Sequence, residues 1–467
     1  MKQFSPCWRS RWPRWVGLLT LMVLASGIRM VQAAGEESAL FVLSVTRVGE
    51  FLVKPDQEKL EFFRRAGRAL ATQAGLFEGD QLQMAGFQGP SFNLNNLFQD
   101  RKFARDWTAP QKAAVEALFR QAGSTLEALN KGLPAVQQGL VFRGVFDPKG
   151  LVEPLTAVVN KGEVPEGMPA SQMHKIRTRM LPVLQVADLI AFVGVLTREG
   201  LQIRAEMKGG PMYRQGIEEA GGLPEPLALG KYLPNDALMT FSQVHMGQSP
   251  AQLMQNLREF PQTRTVESFL ASAGLDLEKD ILSNPGKETH IIINLSPRGE
   301  GGLPDVHGYA RVKDPAKLLA IAPNLKQLAM SLGIFVTPVT EDPPSIRLSY
   351  FMAPQFGVQV AMRGDMLLFA SGREPMVEMI RRMDAVDAGR EPPFLMPPGV
   401  HRYWRIALGL LNEQLQRFLQ GPLLSGKGIP PIPNLDVAGE LGVLELVTQI
   451  FPDRVSIAVG LPVAAKP

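Results

Sequence analysis

Five histidines, His174, His245, His290, His307 and His401, are the side chains in this sequence best suited to bind a metal or move a proton near neutral pH. Only His290 and His307 fall on neighbouring predicted strands, Glu288 to Leu295 and Asp305 to Val312, joined by a Gly-rich loop. Chelation needs both rings on one face, each about 2 Å from the ion. The loop length sets residue 290 opposite about 310 and residue 307 opposite about 293. The rings are then expected roughly 10 Å apart on opposite faces of the sheet, and no shared metal follows. Phosphate chemistry fares no better. Gly421-Pro422-Leu423-Leu424-Ser425-Gly426-Lys427-Gly428 has the glycine–lysine spacing of a phosphate loop, but it ends in glycine where magnesium needs a hydroxyl, and it follows a predicted helix where the motif follows a strand. Gly299-Glu300-Gly301-Gly302 lacks the last glycine of a dinucleotide fingerprint and reads as a turn. Neither G-x-S-x-G nor H-E-x-x-H occurs, so no catalytic residue is assigned and no cofactor is expected. The stripe Met376, Met379, Met383 has the spacing of one helix face, which suits a core; a pliable apolar groove is the other use of such a stripe.

The elements around these residues are organised by a short echo. Val145, Asp147, Pro148 and Leu151 return in register as Val312, Asp314, Pro315 and Leu318, 167 residues later. Each copy ends a β-prone run (Gly139 to Phe146; Val306 to Val312) and opens a helical one. An aspartate accepts hydrogen bonds from the unpaired N–H groups of a first helical turn, and proline fits the next position because its missing donor is not needed there. Asp147, Pro148, Asp314 and Pro315 are therefore read as structural strand-to-helix caps, in preference to a carboxylate pair. Gly200-Leu201-Gln202-Ile203 and Gly357-Val358-Gln359-Val360 form a second echo in the same order. Together they predict an α+β fold of two tandem modules, with duplication as one origin of the echoes.

Residues 1–33 read as a cleaved secretory signal: Lys2, Arg9, Arg11 and Arg14 precede the apolar run Val16 to Ile28, and Val31-Gln32-Ala33 offers a cleavage site. The run is too short for a bilayer, which takes about 20 residues, so no transmembrane helix is expected in the mature chain. Five basic residues and no acidic one precede Ala34, so the formal charge falls from +4 to −1 once they are removed. A nearly neutral chain lacks the basic footprint of a nucleic-acid binder. The single cysteine, Cys7, goes with the signal. Disulfides, thiolate metal sites and thiol nucleophiles go with it. The protein is expected outside the cytoplasm, in the periplasm or beyond.

In chain order, Ala39 to Val45 reads as a strand and Asp56 to about Ala74 as a helix. Residues 79–106 lack clear periodicity and are expected to be an exposed insertion. Thr108 and Pro110 begin an amphipathic helix with Val115, Leu118, Phe119, Ala122 and Leu126 on one side, ended by Gly132. Leu189 to Leu196 and Leu201 to Met207 alternate as a hairpin, which implies an antiparallel sheet with one buried face. The modules are expected at 34–208 and 236–467, with the Gly- and Pro-rich stretch 209–235 as linker.

From Leu233-Pro234-Asn235-Asp236-Ala237, through Ala273-Gly274-Leu275-Asp276-Leu277-Glu278-Lys279-Asp280-Ile281, to Val312-Lys313-Asp314-Pro315, the chain resembles a broad family of uncharacterised bacterial exported proteins over residues 230–360. The resemblance implies export and no catalytic residue. The expected function is non-enzymatic binding or scaffolding in the bacterial envelope, with an unknown protein or a hydrophobic ligand as partner. A carrier of a hydrophobic small molecule in a Met/Leu-lined cavity is the alternative, and a hydrolase is the remaining class.

Overall fold

A computed structural model describes residues 39–48, 81–87, 101–103, 107–134, 139–150, 181–197, 199–245, 262–296, 302–340, 344–419 and 441–462, with isolated helical positions at 152–160 and 254–258. The signal sequence, the helix expected at 56–74, the Gly-rich loop at 297–301 and the phosphate-loop lookalike Gly421 to Gly428 lie outside the described residues. Helices are mixed with antiparallel strands, so the class is α+β. The chain forms two compact units, one of Met1–Leu223 with Thr448–Val463 and one of Pro224–Val447 with Ala464–Pro467.

The first unit contains β1 (Ala39–Val48), β2 (Gln81–Phe87), β3 (Arg101–Phe103), β4 (Gly139–Phe146), β5 (Ala187–Thr197), β6 (Gly200–Gly209) and the terminal strand Arg454–Pro462. Their order is terminal strand-β6-β5-β4-β1-β2-β3. Three expectations change here. The terminal strand pairs with β6, from Arg454 opposite Lys208 to Pro462 opposite Gly200, so it belongs with the first unit. The expected insertion at 79–106 supplies β2 and β3, because Leu82 to Phe87 can extend the sheet beside β1 and satisfy its backbone there. The expected linker is packed: helix Pro211–Glu219 buries Tyr213, whose O–H lies 2.8 Å from the Phe451 carbonyl, and Leu233 is fully buried. Helices α1 (Ala109–Gln121) and α2 (Gly123–Lys131) cover the sheet with Val115, Leu118, Ala122 and Leu126. Thr108 caps α1 in a reciprocal box with Gln111. Gly144 and Gly194 are required as glycines, since a Cβ on either would meet the Phe192 or Phe142 ring at 2.2 Å.

The second unit contains β7 (Met239–Val244), β8 (Pro285–Asn294), β9 (Asp305–Val312), β10 (Ile334–Val339), β11 (Ser345–Tyr350), β12 (Ala353–Arg363), β13 (Met366–Ala370), β14 (Arg402–Ala407) and, up to Val447, β15 (Val443–Ile450). They run β10-β11-β12-β13-β9-β8-β7-β14-β15. One face is sealed by helix Arg373–Asp387 and by the 3-10 turn Leu229–Tyr232. Met376, Met379 and Met383 interlock there with Leu368, Tyr309, Ile292 and Tyr403, so the methionine stripe is core. Arg382 holds the turn down by donating to the Tyr232 and Leu233 carbonyls, and Asp387 takes Lys231 and the Tyr232 hydroxyl. The Leu233 to Ala237 segment is thus core packing, with Leu233 and Ala237 almost wholly buried.

Candidate functional site

The two aspartates occupy the corners expected of them. The Lys149 N–H donates to Asp147 Oδ1 at 3.0 Å as β4 ends, and burial raises the Asp147 pKa. The Lys317 N–H donates to Asp314 Oδ1 at 2.9 Å as β9 gives way to helix Pro315–Ser331. Beyond the corners the units diverge. The first corner leads to β5, which pairs with β4, whereas the second leads to β10, the far edge of the order β10-β11-β12-β13-β9. Gly200 to Ile203 opens β6, the second strand after its corner, whereas Gly357 to Val360 lies in β12, the third strand after its corner and paired with both β11 and β13. Equivalent strands do not carry the second echo.

The chemically richest cluster is a lateral row across the second sheet. Leu368, Tyr309, His290, Ser242 and Tyr403 face one another on β13, β9, β8, β7 and β14. None is more than 1% exposed. His290 Nδ1 lies 2.8 Å from Ser242 Oγ, its Nε2 lies 2.7 Å from Glu288 Oε1, and its ring stacks on Tyr309 at 4.5 Å. Glu288 also accepts the Leu229 N–H at 2.7 Å, and the Tyr309 O–H donates to the Leu229 carbonyl at 3.0 Å.

Burial lowers the His290 pKa against the pull of Glu288. Burial, the largest influence on Glu288, works against its ionisation, but contact with His290 and the Leu229 and Ala228 amides outweigh it, and the carboxyl pKa is lowered. The stable pairing near neutral pH is a Glu288 carboxylate and a neutral His290. Nε2–H then donates to Glu288, and the Ser242 hydroxyl donates to Nδ1. Serine, imidazole and carboxylate are thus chained as in a hydrolase triad, with the two ring nitrogens exchanged. A nucleophile must come within about 3 Å of a substrate atom, and the Ser242 side chain is sealed beneath the core. The chain of bonds instead pins the Leu229 turn to the sheet, with every partner satisfied.

The expected histidine geometry is corrected by one residue of register. His290 faces Tyr309 and His307 faces Ile292, so both rings lie on the same face as diagonal neighbours. A one-residue shift moves every side chain to the other face. The two still do not converge on an ion, for His290 is committed on both nitrogens and His307 Nδ1 is held by the buried Asp305 at 2.8 Å. Among the described residues no three His, Cys, Asp or Glu side chains group as metal ligands. His307 borders a cavity of about 110 Å³ with Tyr232, Asn294, Glu378 and Arg382. That holds a few waters, well short of the ~300 Å³ of a typical ligand pocket. His245 and His401 bond Thr289 and the Pro224 carbonyl, and burial lowers the His401 pKa. His174 lies outside the described residues. In the first unit an open groove of about 450 Å³ runs over α1 and α2, bordered by Glu116, Arg120, Glu127 and Arg143.

A different kind of site lies at one end of the second sheet. The β11–β12 turn carries Tyr350, Phe351 and Met352 at 50%, 50% and 68% exposure. Next to it, the exit of helix Pro315–Ser331 presents Met330 and Leu332 at 59% and 43%. The Phe351 N–H donates to the Gly333 carbonyl at 2.8 Å, which ties the two turns together, and the Tyr350 and Phe351 rings sit 5.5 Å apart. Sequence reading missed this surface because exposure of an apolar turn depends on what packs over it. The run Tyr350-Phe351-Met352 between two strands was the available signal.

No family model matches this chain, and no curated protein matches it. Two crystal forms of TP0453 are among the solved structures that align with it. Form I shares 9% identity at a TM-score of 0.24, over 51% of this chain and 94% of that one. Form III shares 11% at a TM-score of 0.27, over 50% and 94%. Likeness at that level does not establish a common fold.

Proposed function

We propose that this is an exported protein of the bacterial envelope that works by binding, without catalysing a reaction, through the exposed apolar end of its second unit. The observation that carries the reading is the pair of tied turns, where five large apolar side chains stand in solvent on an ordered backbone. Contiguous apolar surface of this kind marks interaction sites, because leaving it in water costs free energy that a partner recovers. Export is supported by the pattern of residues 1–33, and by the resemblance to exported proteins over residues 230–360. Among the described residues no helix is long and apolar enough to cross a membrane. The Met376, Met379 and Met383 stripe is packed in the core, and the Ser242–His290–Glu288 chain is sealed, which weighs against the carrier and hydrolase readings. Common ancestry of the two units has the matched Asp-Pro corners in its favour and the strand order beyond them against it.

A photocrosslinking residue at position 352 tests the reading, with one at the still more accessible position 395 as control; Leu395 is 87% exposed and Met352 68%. Discrete adducts from 352 alone, formed in intact envelopes, are expected. Absence of adducts from 352 would overturn the binding surface, and labelling of Ser242 by a fluorophosphonate would overturn the non-enzymatic half.

A further inference from the structure

The geometry points to a partner for this surface: the tied turns dock on an anionic phospholipid bilayer, resting in its interface. This deepens the binding reading above and depends on it. Charge is what selects the occupant. Between residues 318 and 340, and again between 343 and 363, the only charged side chains are Lys326, Arg347 and Arg363, all of them basic. Arg363 is committed to Asp384 and Asp387, while Lys326 is exposed and one helical turn before Met330. The acidic pair Glu341 and Asp342 belongs to the β10–β11 connection. That connection leaves the sheet at the opposite end, since Ile334 faces Tyr350 and Val339 faces Ser345.

The helix leading into the surface has matching character. Pro315–Ser331 carries Leu318, Leu319, Ile321, Leu325 and Leu328, yet none of its described side chains is buried. Leu318, Ile321, Leu325 and Leu328 are only half-buried, Leu319 is 60% exposed, and beyond its Asp314 cap the helix carries lysine and no acid, the make-up of an interfacial element. The turns add an aromatic pair of the type that settles at the boundary between headgroups and acyl chains. A protein partner would be met by a polar, hydrogen-bonding rim; this end offers carbon and positive charge. The backbone bond from Phe351 to Gly333 ties the two turns together before contact, which lowers the backbone entropy lost on docking.

The test is co-sedimentation of the chain lacking residues 1–33 with large vesicles of phosphatidylglycerol and phosphatidylethanolamine, against vesicles of phosphatidylcholine alone. Binding to the anionic vesicles is expected, weakened by salt and by Lys326→Glu. The double variant Phe351→Asp/Met352→Asp is expected to bind at least about tenfold more weakly, because it replaces apolar contacts with charge at positions already in solvent. Leu395→Asp should bind like the parent chain. Equal binding by the double variant overturns the proposal, as does equal affinity for phosphatidylcholine. If the chain ignores vesicles but position 352 crosslinks to a protein, the lipid assignment falls and the binding reading stands. If neither occurs, both fall.

Discussion

Acid should loosen the second unit through His290, by an amount its surroundings define. In the unfolded chain this imidazole titrates near its ordinary 6.5; in the folded protein burial lowers its pKa. As pH falls through 6.5 the unfolded state takes up a proton that the folded state refuses, so stability drops with falling pH. Above 6.5 both states are neutral there and the contribution vanishes. One group contributes at most about 1.4 kcal/mol per pH unit, so a chain moved from about pH 7.5 to about pH 5.5 should lose up to about 1.4 kcal/mol on this account. Glu288 is lowered from 4.5 and adds its own loss only below that value. The control is His290→Gln, whose amide can donate to Glu288 and accept from Ser242 but does not titrate. His245 and His401 remain in both proteins, so the difference isolates His290. Urea unfolding is followed by the fluorescence of Trp404 on β14, in a chain lacking residues 1–33 and carrying Trp107→Phe. The parent should lose more than the variant between the two pH values, by up to about 1.4 kcal/mol. Equal losses would mean that the buried imidazole accepts a proton without penalty, and the account of the Ser242–His290–Glu288 chain would be wrong.

Met383→Ala should cost about 2–5 kcal/mol in the same assay, because the fully buried side chain interlocks with the sheet and leaves a cavity; a loss below about 1 kcal/mol would show that this core is loose. Asp314→Ala should cost about 1 kcal/mol and speed amide exchange at the start of helix Pro315–Ser331, where the Lys317 N–H loses its acceptor. Unchanged exchange there would deny the cap its role.

Local chemistry was legible in the sequence wherever a residue acts on its immediate neighbours. Asp314 and Thr108 cap helices from their own positions. The hairpin at Leu189 to Met207 follows from its alternation, and it forms with Thr197 opposite Gly200. The methionine stripe follows from helical spacing. These signals are short in range, and the backbone within a few residues satisfies them. Partnership across distance left weaker traces. The 79–106 stretch looked structureless because its periodic part is seven residues long, and β1 is what makes it a strand.

The amino-acid order alone determined the α+β class, the antiparallel pairing and the cap positions, since each is a matter of nearest neighbours along the chain. Tertiary structure decided the rest. It returned the terminal strand to the first unit and turned His290 and His307 onto one face. It joined Ser242 to a histidine 48 residues away, and left Tyr350, Phe351 and Met352 in solvent while equally apolar residues were sealed. Register and burial depend on which strand lies alongside and what packs above it. A one-residue choice in either reverses the environment of every side chain concerned.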